Sequence, residues 1–210
     1  QRGEELTVEV YIPGDGKERL IIGTSHVFLS KYKRDNPMKP PGFCMELRKH
    51  LGKIDNIVQR GFDRLLEIQS GEVKLICEIF GKGNFILVKE GKIIGALRQE
   101  EWADRTIEVG EEYVYPEPTT DPREIDDIFE ALQNGEIVRR LASDLSLGGK
   151  YAEEICRRTE IEKTKEVKKL ENEERKRIRI EAENLIENER SPILYSEDGM
   201  PQRAAPFPLQ

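Results

Sequence analysis

The sequence predicts an α+β protein in which a β-rich region is followed by a helical one. Short apolar runs separated by turn residues fill the chain from Leu6 to Tyr115, and a proline-punctuated stretch, PEPTTDP, follows at 116–122. From about Glu162 to Asn188 comes a tract of Glu, Lys and Arg without Gly or Pro. Short bounded apolar runs are the signature of strands, clustered prolines mark a boundary, and a long tract without breakers reads as helix.

In order, strands are expected at Leu6 to Ile12, Leu20 to Ile22 and Val27 to Leu29, the first turn being Gly14-Asp15-Gly16. Further strands are expected at Ile54 to Val58, Arg64 to Ile68, Val73 to Phe80, Phe85 to Lys89 and Ile93 to Leu97, with hairpin turns at Gly71-Glu72 and Glu90-Gly91. One helix interrupts them, from Pro41 to Leu51, where a first-turn proline and the following Gly52 suit its two ends. Beyond the linker, helices are expected from Asp121-Pro122 to about Leu132, from Ile137 to Leu145 and from Lys150 to Arg158. The charged tract should be a single helix with a solvated first half and a packed second half, where Ile178, Ala182, Leu185 and Ile186 recur at helical intervals; its charges read as i,i+4 ion pairs in solvent or as a nucleic-acid-binding face. After Arg190, Ile193 to Tyr195 and the Asp198-Gly199 turn read as a hairpin returning to the β-rich part. The expected division is therefore 1–118, 119–161, 162–190 and 191–210.

Composition narrows the function. The 210 residues carry a net charge of -7 and are 36% charged, so any contact with nucleic acid must come from local clusters of Lys and Arg rather than from the whole surface. Three cysteines at wide spacing and two histidines outside any ligand pattern argue against a structural zinc site or a disulfide framework and fit a reducing cytosol. No apolar run approaches membrane-spanning length. A nucleophile elbow is absent and no carboxylate pair stands out, so nothing nominates catalytic residues.

Four segments could carry binding chemistry. Leu147-Gly148-Gly149-Lys150 lies between helical patterns. Read as a helix-hairpin-helix, its amides and Lys150 would meet a phosphate; read as a plain αα corner, its glycines serve close packing. On the helix after Pro41, Arg48 and Lys49 form a basic face. Asp63 and Arg64, between two strands, can either read phosphate and base edges or form a solvated turn in which they neutralise each other. In Glu78-Ile79-Phe80-Gly81-Lys82-Gly83-Asn84, two glycines flank a lysine without the Walker pattern, so nucleotide hydrolysis is not supported.

Taken in order, KPPGFCMELRKHL (39–51), IVQRGFDRLLEI (57–68), EIFGKGNFILV (78–88), LSLGGKYAEEICRRTEI (145–161) and ILYSEDGMPQRAAPFPL (193–209) resemble the NFACT family of ribosome quality-control tailing factors, whose members are often labelled fibronectin-binding proteins. The resemblance spans nearly the whole chain. It implies an NFACT-N domain related in fold to the Fpg/Nei-type DNA glycosylases, a helix-hairpin-helix module and a cytoplasmic protein without cofactor or metal. It also implies that this portion binds tRNA on stalled large ribosomal subunits carrying peptidyl-tRNA. The tRNA is recruited for alanine tailing, and the ribosome's own peptidyl-transferase centre makes the bonds. Carried over residue by residue, the family's tRNA-contacting positions fall on Asp63 and Arg64, with Glu78, Ile79, Phe80, Gly81 and Asn84 as the next edge and Gly148, Gly149 and Lys150 as the hairpin turn. The chain departs from the family in opening at Gln1 without the expected first helix and strand, and in stopping before the main coiled coil. Ribosome contact is thus expected through parts outside it. Adhesion to fibronectin and DNA repair stand as the alternative functions.

Overall fold

A computed structural model describes the whole chain except residues 34, 36, 103, 104, 188–190 and 210 and the side chain of residue 203. It forms two compact units, Gln1–Pro118 and Thr119–Gln210.

In the first unit, β1 (Leu6–Ile12), β2 (Gly16–Ile22) and β3 (Val27–Leu29) form a three-stranded antiparallel sheet. Helix α1 (Gly42–His50) follows, and then a five-stranded antiparallel meander: β4 (Asn56–Gln59), β5 (Leu65–Ser70), β6 (Val73–Glu78), β7 (Asn84–Lys89) and β8 (Lys92–Ala96). The β7–β8 hairpin pairs Lys89 with Lys92, leaving Glu90 and Gly91 as a two-residue loop, both at positive φ, the twist that such tight hairpins need. The short strands β9 (Glu100–Glu101) and β10 (Thr106–Ile107) pair with each other, and neither is expected from the sequence.

The meander is apolar on both faces, which explains the unbroken run Phe85-Ile86-Leu87-Val88: alternate residues point to opposite cores. On one face Ile68, Leu75, Cys77, Phe85 and Leu87 pack with Leu6, Ile22 and Leu47. On the other, Leu65, Ile76, Ile86, Val88 and Ile93 pack with Ile107 and Tyr113.

The second unit contains α2 (Ile137–Ser143), α3 (Gly148–Arg158), α4 (Asn172–Glu187) and the hairpin β11 (Ile193–Glu197) with β12 (Met200–Ala205). Ile137, Leu141, Leu145, Ala152, Ile155, Ile178 and Ala182 make its core, joined by Val167 and Leu170.

Three expectations are corrected here. The helix from Asp121 to Leu132 does not form. Asp121 accepts from the amide of Arg123 and Asp127 from that of Phe129, so aspartate side chains take up amides two residues on, and only a 3-10 turn at Ile128–Glu130 remains. The charged tract is not one long helix either. Ile137 donates to the carbonyl of Lys165 at 2.8 Å and Val167 to that of Gly135 at 2.9 Å, so backbone pairing holds this part beside the start of α2. That pairing buries Val167 and Leu170; a 3-10 turn spans Val167–Lys169, and α-helix begins only at Asn172. As expected, the second half of the tract packs through Ile178 and Ala182, while its end at 188–190 lies outside the described residues. Finally, β11 and β12 form the expected hairpin, but it groups with the helices rather than with 1–118. Its tail lies on α3, with Phe207 beside Tyr151 and the carbonyl of Pro208 accepting from Arg158 at 2.6 Å.

Candidate nucleic-acid interface

Antiparallel strands joined in sequence place every second connection at the same end of the sheet. The register pairs Gln59 with Leu66, Leu65 with Glu78, and Glu78 with Asn84, so turn 60–64 and turn 79–83 emerge side by side. The amide of Ile79 donates to the carbonyl of Arg64 at 2.8 Å, stitching one turn to the other. Two segments far apart in sequence thus form one edge. Arg64 and Lys82 are exposed on it, Asp63, Ile79 and Phe80 are half-buried, and Gly81 is exposed at positive φ.

Two residues expected to touch RNA are turned inward instead. Glu78 is 2% exposed. Arg105 donates to both its carboxylate oxygens, at 2.5 and 3.0 Å, and the Tyr113 hydroxyl donates to it at 2.9 Å. Burial, reinforced by the Glu78 charge, pushes the Tyr113 phenol well above its ordinary range. For Arg105, burial alone would lower the pKa, but the Glu78 carboxylate outweighs it and raises it. Asn84, 1% exposed, accepts from the amides of Phe85 and Arg98 and donates to the carbonyl of Arg98. These contacts leave neither side chain facing solvent. Sequence reading passed over their partners Arg98, Arg105 and Tyr113, which sit in a stretch with no motif.

Turn 79–83 is fastened from beneath as well. Arg98 donates to the carbonyls of Lys82 and Gly83 and pairs with Glu4. Gly83, at φ +69, lies so close to Thr24 that a Cβ would fall 2.7 Å from its backbone oxygen. Beside turn 60–64, Asn56, Val58, Arg60, Glu67, Gln69 and Lys74 line an open groove of about 330 Å³ on the sheet face. There the Arg60 guanidinium lies 4.0 Å from the Tyr115 ring centroid and 2.8 Å from Glu67.

Arg48 and Lys49 are exposed on the last turn of α1, which runs into Gly52. The amide of Gly52 donates to Ser70, at the end of β5 opposite Leu65, so the chain leads these cations toward the far end of the sheet from the Arg64 turn. In the second unit, Gly148, Gly149 and Lys150 open α3, and no side chain caps its N-terminus. Gly148 has φ 75 and Ser146 φ 52, the left-handed pair that turns α2 into α3. All three cysteines are buried, and among the described residues no cluster of His, Cys, Asp and Glu could hold a metal. No described helix is long and apolar enough to cross a membrane.

Residues 2–210 match the family model described as NFACT N-terminal and middle domains. The chain belongs to the NFACT family. Over 221 aligned residues it is 34% identical to the archaeal Rqc2 homolog aRqcH of Methanocaldococcus jannaschii, covering 94% of this chain and 33% of that protein. The Rqc2 homolog RqcH of Bacillus subtilis is 34% identical over 128 residues, which is 50% of this chain and 22% of that protein. Ribosome quality control complex subunit 2 of Saccharomyces cerevisiae is 33% identical over 90 residues, or 40% of this chain and 9% of that one. The chain thus spans a third or less of the length of these relatives. Among solved structures, the N-terminal part of the fibronectin/fibrinogen-binding protein of Streptococcus suis superposes with a TM-score of 0.65 at 25% identity, covering 99% of this chain and 80% of that one. The fibrinogen-binding protein of Staphylococcus aureus shares the fold, with a TM-score of 0.64 at 22% identity over 96% of this chain and 79% of that one. The curated relatives thus carry names of ribosome quality control, and the solved structures of like fold carry names of matrix-protein binding.

Proposed function

We propose that this NFACT chain is the tRNA-binding part of a cytoplasmic ribosome quality-control factor that acts on stalled large subunits and recruits tRNA for C-terminal alanine tailing. The single observation that carries the reading is the edge on which Arg64 and Lys82 stand exposed on two adjacent turns of one sheet, stitched by a backbone hydrogen bond. Cations on fixed turns bind phosphate without the cost of ordering a mobile loop. The names of the curated relatives support ribosome quality control as the setting. Asp63, Ile79, Phe80 and Gly81 complete the edge, and the α2–α3 corner acts as a helix-hairpin-helix whose uncapped amides and Lys150 take a second phosphate. Peptide bonds come from the ribosome, so the chain itself needs no catalytic group.

The test is tRNA affinity as a function of salt for the native chain and Arg64→Ala. Arg64 is exposed, so the variant folds; affinity should fall about tenfold and the slope against log salt should shrink by about one. Unchanged affinity and slope would remove Arg64 from the interface. A second reading, binding to fibronectin, draws on the names of the solved neighbours. A pull-down offering tRNA and fibronectin together at physiological salt separates the two, and preferential capture of fibronectin would reverse the assignment.

A further inference from the structure

We infer that Arg105, together with Tyr113, is a positioning residue for this edge. It holds the RNA-binding turns in place through Glu78 without reaching RNA itself. The inference deepens the tRNA-binding reading and rests on it.

Glu78 is the post shared by both turns. Across the sheet it pairs with Leu65, the residue after Arg64, and with Asn84, the residue after turn 79–83; the next amide, Ile79, donates to the carbonyl of Arg64. Wherever the backbone of Glu78 goes, both turns follow. A carboxylate at the end of a strand would normally swing out to water, because burying an unpaired charge is costly. Here it points into the apolar face lined by Leu65, Ile76 and Tyr113, and it stays there because Arg105 grips both oxygens. A two-pronged guanidinium fixes the plane of a carboxylate as well as its position, and the Tyr113 hydroxyl supplies a third point. The side chains of Arg105 and Glu78 are 7% and 3% exposed, so neither is placed to meet a ligand. Buried ion pairs give little net stability compared with apolar residues of the same size, and their best-attested use is to select one arrangement. Arg105, just before β10 and paired with Glu78 at the end of β6, therefore acts on the geometry of the Arg64 and Lys82 turns.

The experiment uses the 210-residue chain with Arg105→Lys, which keeps the charge and loses the fork, and Tyr113→Phe, which loses only the hydroxyl. Amide hydrogen exchange at Ile79 and Gly83 should be about tenfold faster in Arg105→Lys and less so in Tyr113→Phe, with thermal melting little changed. Affinity for tRNA should fall about tenfold in Arg105→Lys, and that loss should shrink when Arg64→Ala is already present, because the two changes share the Arg64 contact while the Lys82 turn remains to be displaced. Exchange as slow as in the native chain in both variants would overturn the inference, as would an affinity loss that persists undiminished beside Arg64→Ala. If the native chain fails to bind tRNA, the functional reading falls, and the exchange rates still decide whether Arg105 positions the turns.

Discussion

Glu78 at the end of β6 and Glu154 on α3 are both almost fully enclosed, at 2% and 1% exposure, and arginines neutralise both. They are built differently. The partners of Glu154 are Arg157 and Arg158, three and four residues on along the same helix, so the helical repeat alone brings them together. Arg158 also pairs with Glu181 at 2.8 Å and donates to the carbonyl of Pro208 at 2.6 Å, which makes it a hub joining α3, α4 and the chain's tail. The partner of Glu78 comes from a separate segment, and among the described residues Arg105 has Glu78 as its salt-bridge partner. One site is local, with two cations; the other is long-range, with one cation and the Tyr113 hydroxyl.

That contrast sets the largest expected effect. Glu78→Ala strands a buried guanidinium and should cost about 3–5 kcal/mol in denaturant unfolding, whereas Glu154→Ala leaves Arg158 with Glu181 and should cost about 1–2 kcal/mol. Equal costs would show that the two sites are energetically alike.

The glycines sharpen the same comparison between sheet end and helix corner. Gly83→Ala forces a side chain into a left-handed conformation against the Thr24 backbone and should cost about 2 kcal/mol or more. Gly149→Ala meets nothing within 4 Å and should stabilise α3 by about 0.5–1 kcal/mol. Melting curves of the two variants should move in opposite directions. A Gly149→Ala chain that melts higher but binds tRNA less tightly would mark the corner as a contact.

The smallest effect is on pH. Burial alone would raise the pKa of Glu67, but Arg60 and Lys74 outweigh it and hold the carboxyl below its ordinary 4.5. A carboxyl lowered on folding stabilises the fold above 4.5 and loses that contribution as pH falls through its folded value. Glu67→Gln should therefore reduce stability at neutral pH by under about 1 kcal/mol and flatten the loss on acidification, read from unfolding midpoints across the acid range. An unchanged acid profile would remove this pair from the account.

How far the sequence could be read follows the same division between local and distant causes. Strands β1 and β3 to β8 and helices α1 to α3 were legible because apolar period, turn residues and caps act within a few residues of one another. The tract at 162–170 misled, since its helical composition was overridden by backbone pairing with Gly135 and Ile137, about thirty residues away in sequence. Of the candidate edge, Arg64 and the 79–83 turn stand at one end of the sheet, while Glu78 and Asn84, polar and next to glycine turns, looked like contacts and are buried.

By itself the sequence determined most of the strands, the helices α1 to α3 and the segments that carry family resemblance, because all of these are written in local pattern. Only the tertiary structure decided which polar residues of those segments face solvent. Burial of Glu78 depends on whether a cation reaches it, and the guanidinium that does is brought by the folding of a distant segment, which no spacing along the chain records.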